Sequence, residues 1–353
     1  RCLKDFMKIS VGTNIKDGPW GGGNLFAINL RNYLINSGHD VVTNLDDNDI
    51  DLILLTEPRK TSESSAFTHQ QVINYLKYIN NETLIVHRIN ECDERKNTNY
   101  INKYIIEANK VADYTIFVST WLKNLYIEQG MQDKNKKVIL SGSDTSIFNL
   151  DNYIPWDGQE KLSIVTHHWG ANWNKGFEVY DYIDKLLDDE YWKDKIDFTY
   201  IGNLPEKFKF RNTKVQTPLS GEALAEKIKK GHVYITGSIN EPSGNHHIEG
   251  ALCGLPLMYL NSGGIPEYCK DFGLEYSIEN LEIKLEEMMK DYKKYQKLLE
   301  NYPYKAKAMS KEYFDLFNYI FKNKEKLIMN REINLTSNRL LRTLYKKIKI
   351  KSS

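Results

Sequence analysis

Between Tyr234 and Pro266 the chain reads YITGSINEPSGNHHIEGALCGLPLMYLNSGGIP. No other stretch limits the fold so tightly. Val233 to Thr236 is short, apolar and β-branched, as a buried strand is. Glu241-Pro242-Ser243-Gly244 breaks it. Ser243 or Asn245 is placed to cap a following helix that carries Ile248, Ala251 and Leu252 on one face. Gly254 and Pro256 end that helix, and Leu257 to Leu260 reads as the next strand. A helix that starts at the carboxyl end of a parallel strand presents free backbone N–H groups and a positive dipole end, which together form a seat for phosphate. Glu241 lies beside that seat. Glu249 lies about six residues into the helix, roughly 9 Å along its axis. The two carboxylates are therefore expected to serve different ends of one extended ligand, unlike a hydrolase pair that faces a single bond.

The rest of the chain alternates strand and helix, the pattern of α/β layers. Strands are expected at 7–13, 40–43, 51–56, 84–88, 114–119 and 137–140. Helices are expected at 24–37, 68–78, 99–111 and 120–129. The polar segment 151–158, DNYIPWDG, reads as a linker. A second series follows, with strands at 162–166, 198–202, 233–236 and 257–260. Its helices are expected at 177–187, 220–230, 278–299 and 306–321. The acidic run at 46–49 reads as a solvated loop. The Gly21-Gly22-Gly23 loop opens the first helix, where glycines let backbone approach a diphosphate or sugar. It is not a clean G-x-G-x-x-G, which disfavours a dinucleotide. The whole implies two Rossmann-like domains facing across a cleft, with ligands at the carboxyl ends of the strands.

The sequence has 353 residues, long enough for two cores. Hydrophobic content of 41% and charged content of 27% are ordinary for a globular chain, and a net charge of +1 gives no reason to expect nucleic acid. The four cysteines lack C-x-x-C spacing, so a reducing, cytoplasmic setting is expected. No apolar run approaches the roughly 18 residues a membrane span needs. The opening RCLKDF has no apolar core, so it is not read as a signal peptide, and the fold is expected to start at Met7.

EPSGNHHIE is an E-x7-E pattern. With the small-residue helix, Gly-Leu-Pro and Gly-Gly-Ile-Pro-Glu (263–267) behind it, the stretch resembles the retaining glycosyltransferases of family GT4, which have the GT-B fold. The glycine loop followed by GHDV resembles the first loop of the same family, and VILSGSDTSIFN resembles the end of its N-terminal domain. Asp144 and Phe148 match there, whereas Ser141 and Ser143 stand where Asn and Val are usual. The resemblance covers about 7–325. It implies an N-terminal acceptor-side domain over 7–150 and a nucleotide-sugar donor domain over 159–305. A C-terminal helix, 306–325, would pack back on the first domain.

Lys175, after a strand and THHWGANWN, is the candidate cation for the leaving phosphate. The family usually has an arginine a few residues earlier, and this chain has none. Either His168 or another group, such as Arg88, would supply that charge. The pairs His167-His168 and His246-His247 suggest metal, but adjacent residues diverge on strand and helix, so no metal site is expected. His87 and Arg88, with Glu91, Asp93, Glu94 and Arg95, end an N-domain strand. They are placed to touch donor or acceptor sugar, or else form a surface ion-pair cluster. Residues 331–353 carry seven Lys or Arg and one Glu. Leu340, Leu341, Leu344 and Ile348 share a helical face there, which fits peripheral contact with anionic lipid, a frayed tail or a helix packed on the core.

The resemblance implies a retaining hexosyltransferase that uses a UDP- or GDP-sugar and a glycan or lipid-linked acceptor, as in polysaccharide biosynthesis. Glu241 would bind the donor sugar near the reacting carbon, with Lys175 at the diphosphate. Glu249 would bind the ribose, and Gly22, Gly23, Gly244, Asn245 and Gly264 would line the nucleotide and phosphates. No cofactor and no divalent metal are expected. The rival readings are a sugar-nucleotide epimerase on the same fold and a non-catalytic nucleotide-sugar-binding protein.

Overall fold

The computed structural model describes residues 6–18, 20–331, 333 and 335. The first sheet is built from β1 (Lys8–Val11), β2 (Asp40–Val42), β3 (Leu52–Leu55), β4 (Leu84–Ile89), β5 (Tyr114–Phe117) and β6 (Lys136–Val138). Among and around them run α1 (Gly22–Asn36), α2 (His69–Tyr78), α3 (Asp93–Lys96), α4 (Ile101–Asn109) and α5 (Thr120–Glu128). The second sheet holds β7 (Leu162–His168), β8 (Ile196–Gly202), β9 (Lys214–Gln216), β10 (Val233–Thr236), β11 (Leu257–Leu260) and β12 (Gly273–Tyr276). Its helices are α6 (Phe177–Leu186), α7 (Gly221–Ile228), α8 (His246–Leu252), α9 (Ile265–Cys269), α10 (Leu281–Lys290) and α11 (Tyr292–Leu298). Then come α12 (Ala306–Lys322) and α13 (Lys324–Met329).

Both sheets are six-stranded, with all strand pairs parallel, in the orders β2-β1-β3-β4-β5-β6 and β12-β11-β10-β7-β8-β9. Two Rossmann-like domains result. The chain reverses direction across the first sheet at β1 and across the second between β7 and β10. Loops leaving the carboxyl ends of those strands separate to opposite sides and leave a crevice. The GGG loop follows β1, the Lys175 loop follows β7, and the Glu241 loop follows β10. Topology therefore brings the three chosen loops to the two crevices.

Parallel strands covered on both faces need continuous apolar runs. Leu52–Leu55 and Val233–Thr236 are buried at every position. Two strands escaped the sequence reading. Lys214–Gln216 is a polar edge strand, and in Gly273–Tyr276 only Leu274 and Tyr276 face inward. The acidic run is also more than a solvated loop: Asp47 and Asp49 each lie 3.0 Å from Lys8 Nζ, gathering around the one cation at the start of β1. The segment 151–158 has no helix or strand, yet it is sewn to the second domain. Trp156 enters that core, and the Tyr153 and Tyr292 hydroxyls are 2.8 Å apart.

α12 crosses to the first domain and packs on α1. Met309, Tyr313, Leu316, Phe317 and Ile320 share one core cluster with Ile9, Phe26 and Leu30. The two chain crossings touch at Gly142, where a Cβ would lie 2.5 Å from the Lys305 carbonyl. A further latch joins α9 to the first domain. Both Glu267 oxygens accept from the free amides of Thr120 and Trp121 at 2.9 Å, so a carboxylate of one domain caps α5 of the other. Tyr268 donates to the Val118 carbonyl at 2.7 Å.

The basic helix expected over 331–353 falls outside the described residues except for Arg331, Ile333 and Leu335. Arg331 does not face outward. Its guanidinium donates two hydrogen bonds to buried Asp113, at 2.6 and 2.8 Å, and also donates to the Asn81 and Thr83 carbonyls. No helix among the described residues is long and apolar enough to cross a membrane.

Candidate functional site

Glu241 is held where the two domains meet. Asn240 before it adopts φ 52°, a left-handed conformation that Asn tolerates, and its amide donates to Ser262 Oγ. After the turn, Gly263 lies so close that a Cβ there would be 2.5 Å from the Glu241 carbonyl. The Glu241 side chain is 5% exposed, and its Oε2 accepts from Lys175 Nζ at 2.6 Å. Arg95, from α3 of the other domain, brings Nε to 3.2 Å from Oε1. Burial alone would raise the carboxyl, but Arg95 and Lys175 outweigh it and hold Glu241 at about 2. Burial and the Arg95 charge lower Lys175, against the pull of Glu241.

Lys175 is fixed by its own turn. The Trp173–Lys175 turn ends at Gly176, whose φ of 113° and contact with the Gly237 backbone exclude a side chain. Ile239 N donates to Asn174 O at 2.8 Å, locking the Lys175 loop to the Glu241 loop. Asn174 also reaches the Glu94 and Arg95 carbonyls, as Asn240 reaches Glu94.

Glu249 occupies a different setting, inside the second domain. His167 Nε2 donates to its Oε2 at 2.7 Å, and the Tyr234 hydroxyl lies 2.9 Å from His167 Nδ1. Because a carboxylate only accepts, Nε2 carries a proton toward Glu249. All three groups are buried.

The other chosen residues distribute as follows. Asn245 stands at the head of α8, but its side chain makes no capping bond. Its carboxamide instead lies 3.2 Å from where a Cβ on Gly22 would be, so Gly22 of one domain and Asn245 of the other meet across the cleft. Ser243, the other expected cap, donates to Ser141 of the first domain at 2.8 Å. Neither side chain caps α8, and Ser243 is bonded to the facing domain instead. Gly23 stands against the Asn90 side chain. Gly244 has φ 74°, and its missing Cβ makes room for the His246 ring. The Gly264 amide donates to the Glu241 carbonyl at 2.8 Å, and a Cβ there would strike Pro242 and Ser119.

His168 is buried against Tyr180, with Nε2 2.6 Å from that hydroxyl, and its ring lies 4.5 Å from His246. Burial, then Lys175, push it well below its ordinary range, so it is neutral and carries no positive charge to the site. Arg88 packs its guanidinium 3.8 Å above the Phe26 ring, under α1. His87, on the opposite face of β4, meets the Asn109 carboxamide at 3.0 Å and is lowered to about 3 by burial. Neither joins the Glu241 cluster. Among the described residues no three of His, Cys, Asp and Glu gather as a metal site requires.

Sequence reasoning noticed Arg95 only as one member of a charged run. The run itself, CDERK after a strand end, was the available signal, but nothing in it says that Arg95 reaches across to the second domain. Tyr234 and the bridging asparagines Asn174 and Asn240 gave no signal at all.

No family model matches the sequence, and no curated protein matches it. Solved structures do match in shape. A glycosyltransferase from Rickettsia africae superposes with a TM-score of 0.66 at 14% identity, covering 91% of this chain and all of that one. HepE of Anabaena in complex with UDP gives 0.65 at 12%, covering 89% and 100%. A sucrose-phosphate synthase from Thermosynechococcus elongatus gives 0.61 at 12%, covering 90% and 99%. The likeness spans both domains, and it establishes the GT-B fold.

Proposed function

We propose that the protein is a retaining glycosyltransferase that moves a sugar from a nucleotide-sugar, UDP- or GDP-linked, to a glycan or lipid-linked acceptor. One observation carries the reading: Lys175 and Glu241 form a fixed, nearly dry ion pair at the cleft between two Rossmann-like domains. A departing nucleoside diphosphate needs a preplaced cation, and a carboxylate beside it suits the positive charge that develops on the sugar carbon. HepE has been solved with UDP and with UDP-glucose, which favours the same class of donor here.

In this reading Lys175 offsets charge on the leaving phosphate. Glu241 binds donor sugar hydroxyls and faces the reacting carbon. Glu249, oriented by His167, accepts from the ribose hydroxyls. Gly22, Gly23, Gly244, Asn245 and Gly264 shape the narrow space for the diphosphate and nucleotide. No divalent metal or other cofactor is required in this reading, because protein cations at the site, Lys175 among them, supply the positive charge. The protein works in the cytoplasm, and its basic C-terminal segment meets the membrane surface when the acceptor is lipid-linked.

The test is a thermal-shift screen against UDP-, GDP-, ADP- and CMP-sugars. A ligand at 100 times its Kd adds about 2.7 kcal/mol of stability. One nucleotide should stabilise the wild type, and E249A should cut that shift to about half or less. If none stabilises it, the donor reading is overturned. Slow donor hydrolysis without acceptor, lost in E241Q, would support catalysis. Isomerisation of the donor alone would point to an epimerase, and binding without turnover to a binding protein.

A further inference from the structure

The two cations that touch Glu241 come from different domains. Lys175 belongs to the second, and its Nζ is matched one to one with Glu241 Oε2 at 2.6 Å. Arg95 belongs to the first and is shared. Its Nε lies 3.2 Å from Glu241, and its Nη1 lies 3.3 Å from both oxygens of Glu91. Glu91 also takes Lys96 at 2.9 Å. Arg95, Lys96 and Lys175 thus face two carboxylates, Glu91 and Glu241. Arg59 approaches Glu91 too, but it is closed off by its own pairing with Glu57. The adjacent acids do not restore the balance: Asp93 accepts from the backbone at the head of α4, and Glu94 points to Asn102 and Gln129. One positive charge is left over where the domains meet.

Arg95 also has unused hydrogen-bonding capacity. Nε is close to Glu241 but poorly aligned with it, and it makes no hydrogen bond. Nη2 makes none with any described residue. The side chain is 22% exposed, whereas Lys175 is 9% exposed. Arg95 is therefore both held and open. α3 is pinned to the second domain through the bonds from Asn174 and Asn240 to its carbonyls. Gly170 precedes the Lys175 turn, and a Cβ on it would sit 3.3 Å from Lys175 Cε and 3.6 Å from Asn172 Nδ2, so position 170 has little room for a side chain.

We propose that Arg95 is the second cation of the donor seat, its free guanidinium edge donating to a diphosphate oxygen of the bound nucleotide-sugar. The assignment rests on the donor reading above and deepens it. As the bond between the sugar carbon and the diphosphate oxygen breaks, its electron pair stays on that oxygen. The acceptor oxygen bonds to the carbon, and the acceptor proton passes to the departing phosphate. Charge grows on the diphosphate through this step. Lys175 alone is already balanced by Glu241, whereas Arg95 brings the surplus. Arginine suits the task, since its planar fork can hold Glu91 on one edge and a phosphate on another. The N-terminal domain then takes part in donor binding, and the seat is complete only when both domains are together.

The experiment is calorimetric titration of the full chain with UDP, GDP and ADP, each beside the monophosphate of the same base. For the base that binds, R95M should lower diphosphate affinity about 30-fold and monophosphate affinity far less, as loss of a charge-assisted bond predicts. R95K keeps the charge that Glu91 and Glu241 require, so it guards against a variant that fails to fold. It should lower the diphosphate-to-monophosphate ratio about threefold through loss of the fork. An unchanged ratio in a folded R95M, or in R95K when R95M does not fold, overturns the assignment while leaving the donor reading intact. A wild type that binds none of the nucleotides overturns both.

Discussion

Glu241 and Glu249 are eight residues apart on one strand–loop–helix unit, yet their surroundings have little in common. Glu241 is gripped by a lysine of its own domain and an arginine of the other. Glu249 is gripped by His167, itself oriented by Tyr234, all within one domain. Identical side chains on one motif have been given different dependencies. The first has charged partners in both domains. The second is built once the C-terminal domain has folded. Under the proposed function, a donor would be recognised by one half of the protein and activated by both.

The largest expected break in this contrast is E241Q. It keeps the shape but removes the charge, and should lower turnover about 10³-fold, the scale of a lost electrostatic contact at a reacting centre. Steady-state donor hydrolysis measures it, and a turnover near wild type would sink the catalytic role. Thermal melting of the same variant should show a clear loss, because Lys175 and Arg95 are left facing each other. E249A should act more mildly. Nucleotide affinity should fall about 10- to 100-fold, as expected for loss of a charged hydrogen-bond acceptor. Discrimination of ribose from deoxyribose should vanish, with turnover at saturating donor little changed. An equal preference loss in E241Q would erase the contrast.

Acid should expose a third difference, between faces that carry buried neutral histidines and those that do not. Burial lowers both His87 and His247 to about 3. Between about 3 and 6.5 the unfolded chain binds protons that the native histidines refuse, so stability falls as pH falls through that window. Each histidine contributes up to about 1.4 kcal/mol per pH unit. Urea midpoints at pH 7 and pH 5 measure the slope, and H247L should flatten it. His247 is the sharper probe, because neither ring nitrogen has a hydrogen-bond partner. The smallest effect belongs to E267Q. It keeps an acceptor for only one of the Thr120 and Trp121 amides and loses the charge at the head of α5, together about 1 kcal/mol. Chemical denaturation would reveal it, and a loss several times larger would make the latch a principal holder of the domains.

Much of the second domain was legible in the chain. Strands β10 and β11 match their expected spans, because apolar runs, glycine and proline act over a few residues, whereas α8 starts at His246 and leaves Glu249 in its first turn, nearer the helix head than expected. The GGG loop and the Lys175 loop were placed at strand ends by the same local signals. The E-x7-E pattern singled out Glu241 and Glu249 as candidates, and Lys175 was picked from the loop after a strand. β12 was not legible, since four residues with two inward side chains give too short a period to detect. The caps at Ser243 and Asn245 were read as local and turned out to be contacts with the other domain.

The sequence by itself determined the two α/β series, the loops that carry charge and the pair of glutamates. These follow from side-chain period and backbone preference, which need no knowledge of distant residues. Only the tertiary structure decided which charges meet. It set Arg95 beside Glu241 at a separation of 146 residues, left Arg88 under Phe26, and made His168 neutral. A side chain's charge, partner and exposure depend on what the rest of the chain packs against it. Two folded domains must come together before that surrounding exists.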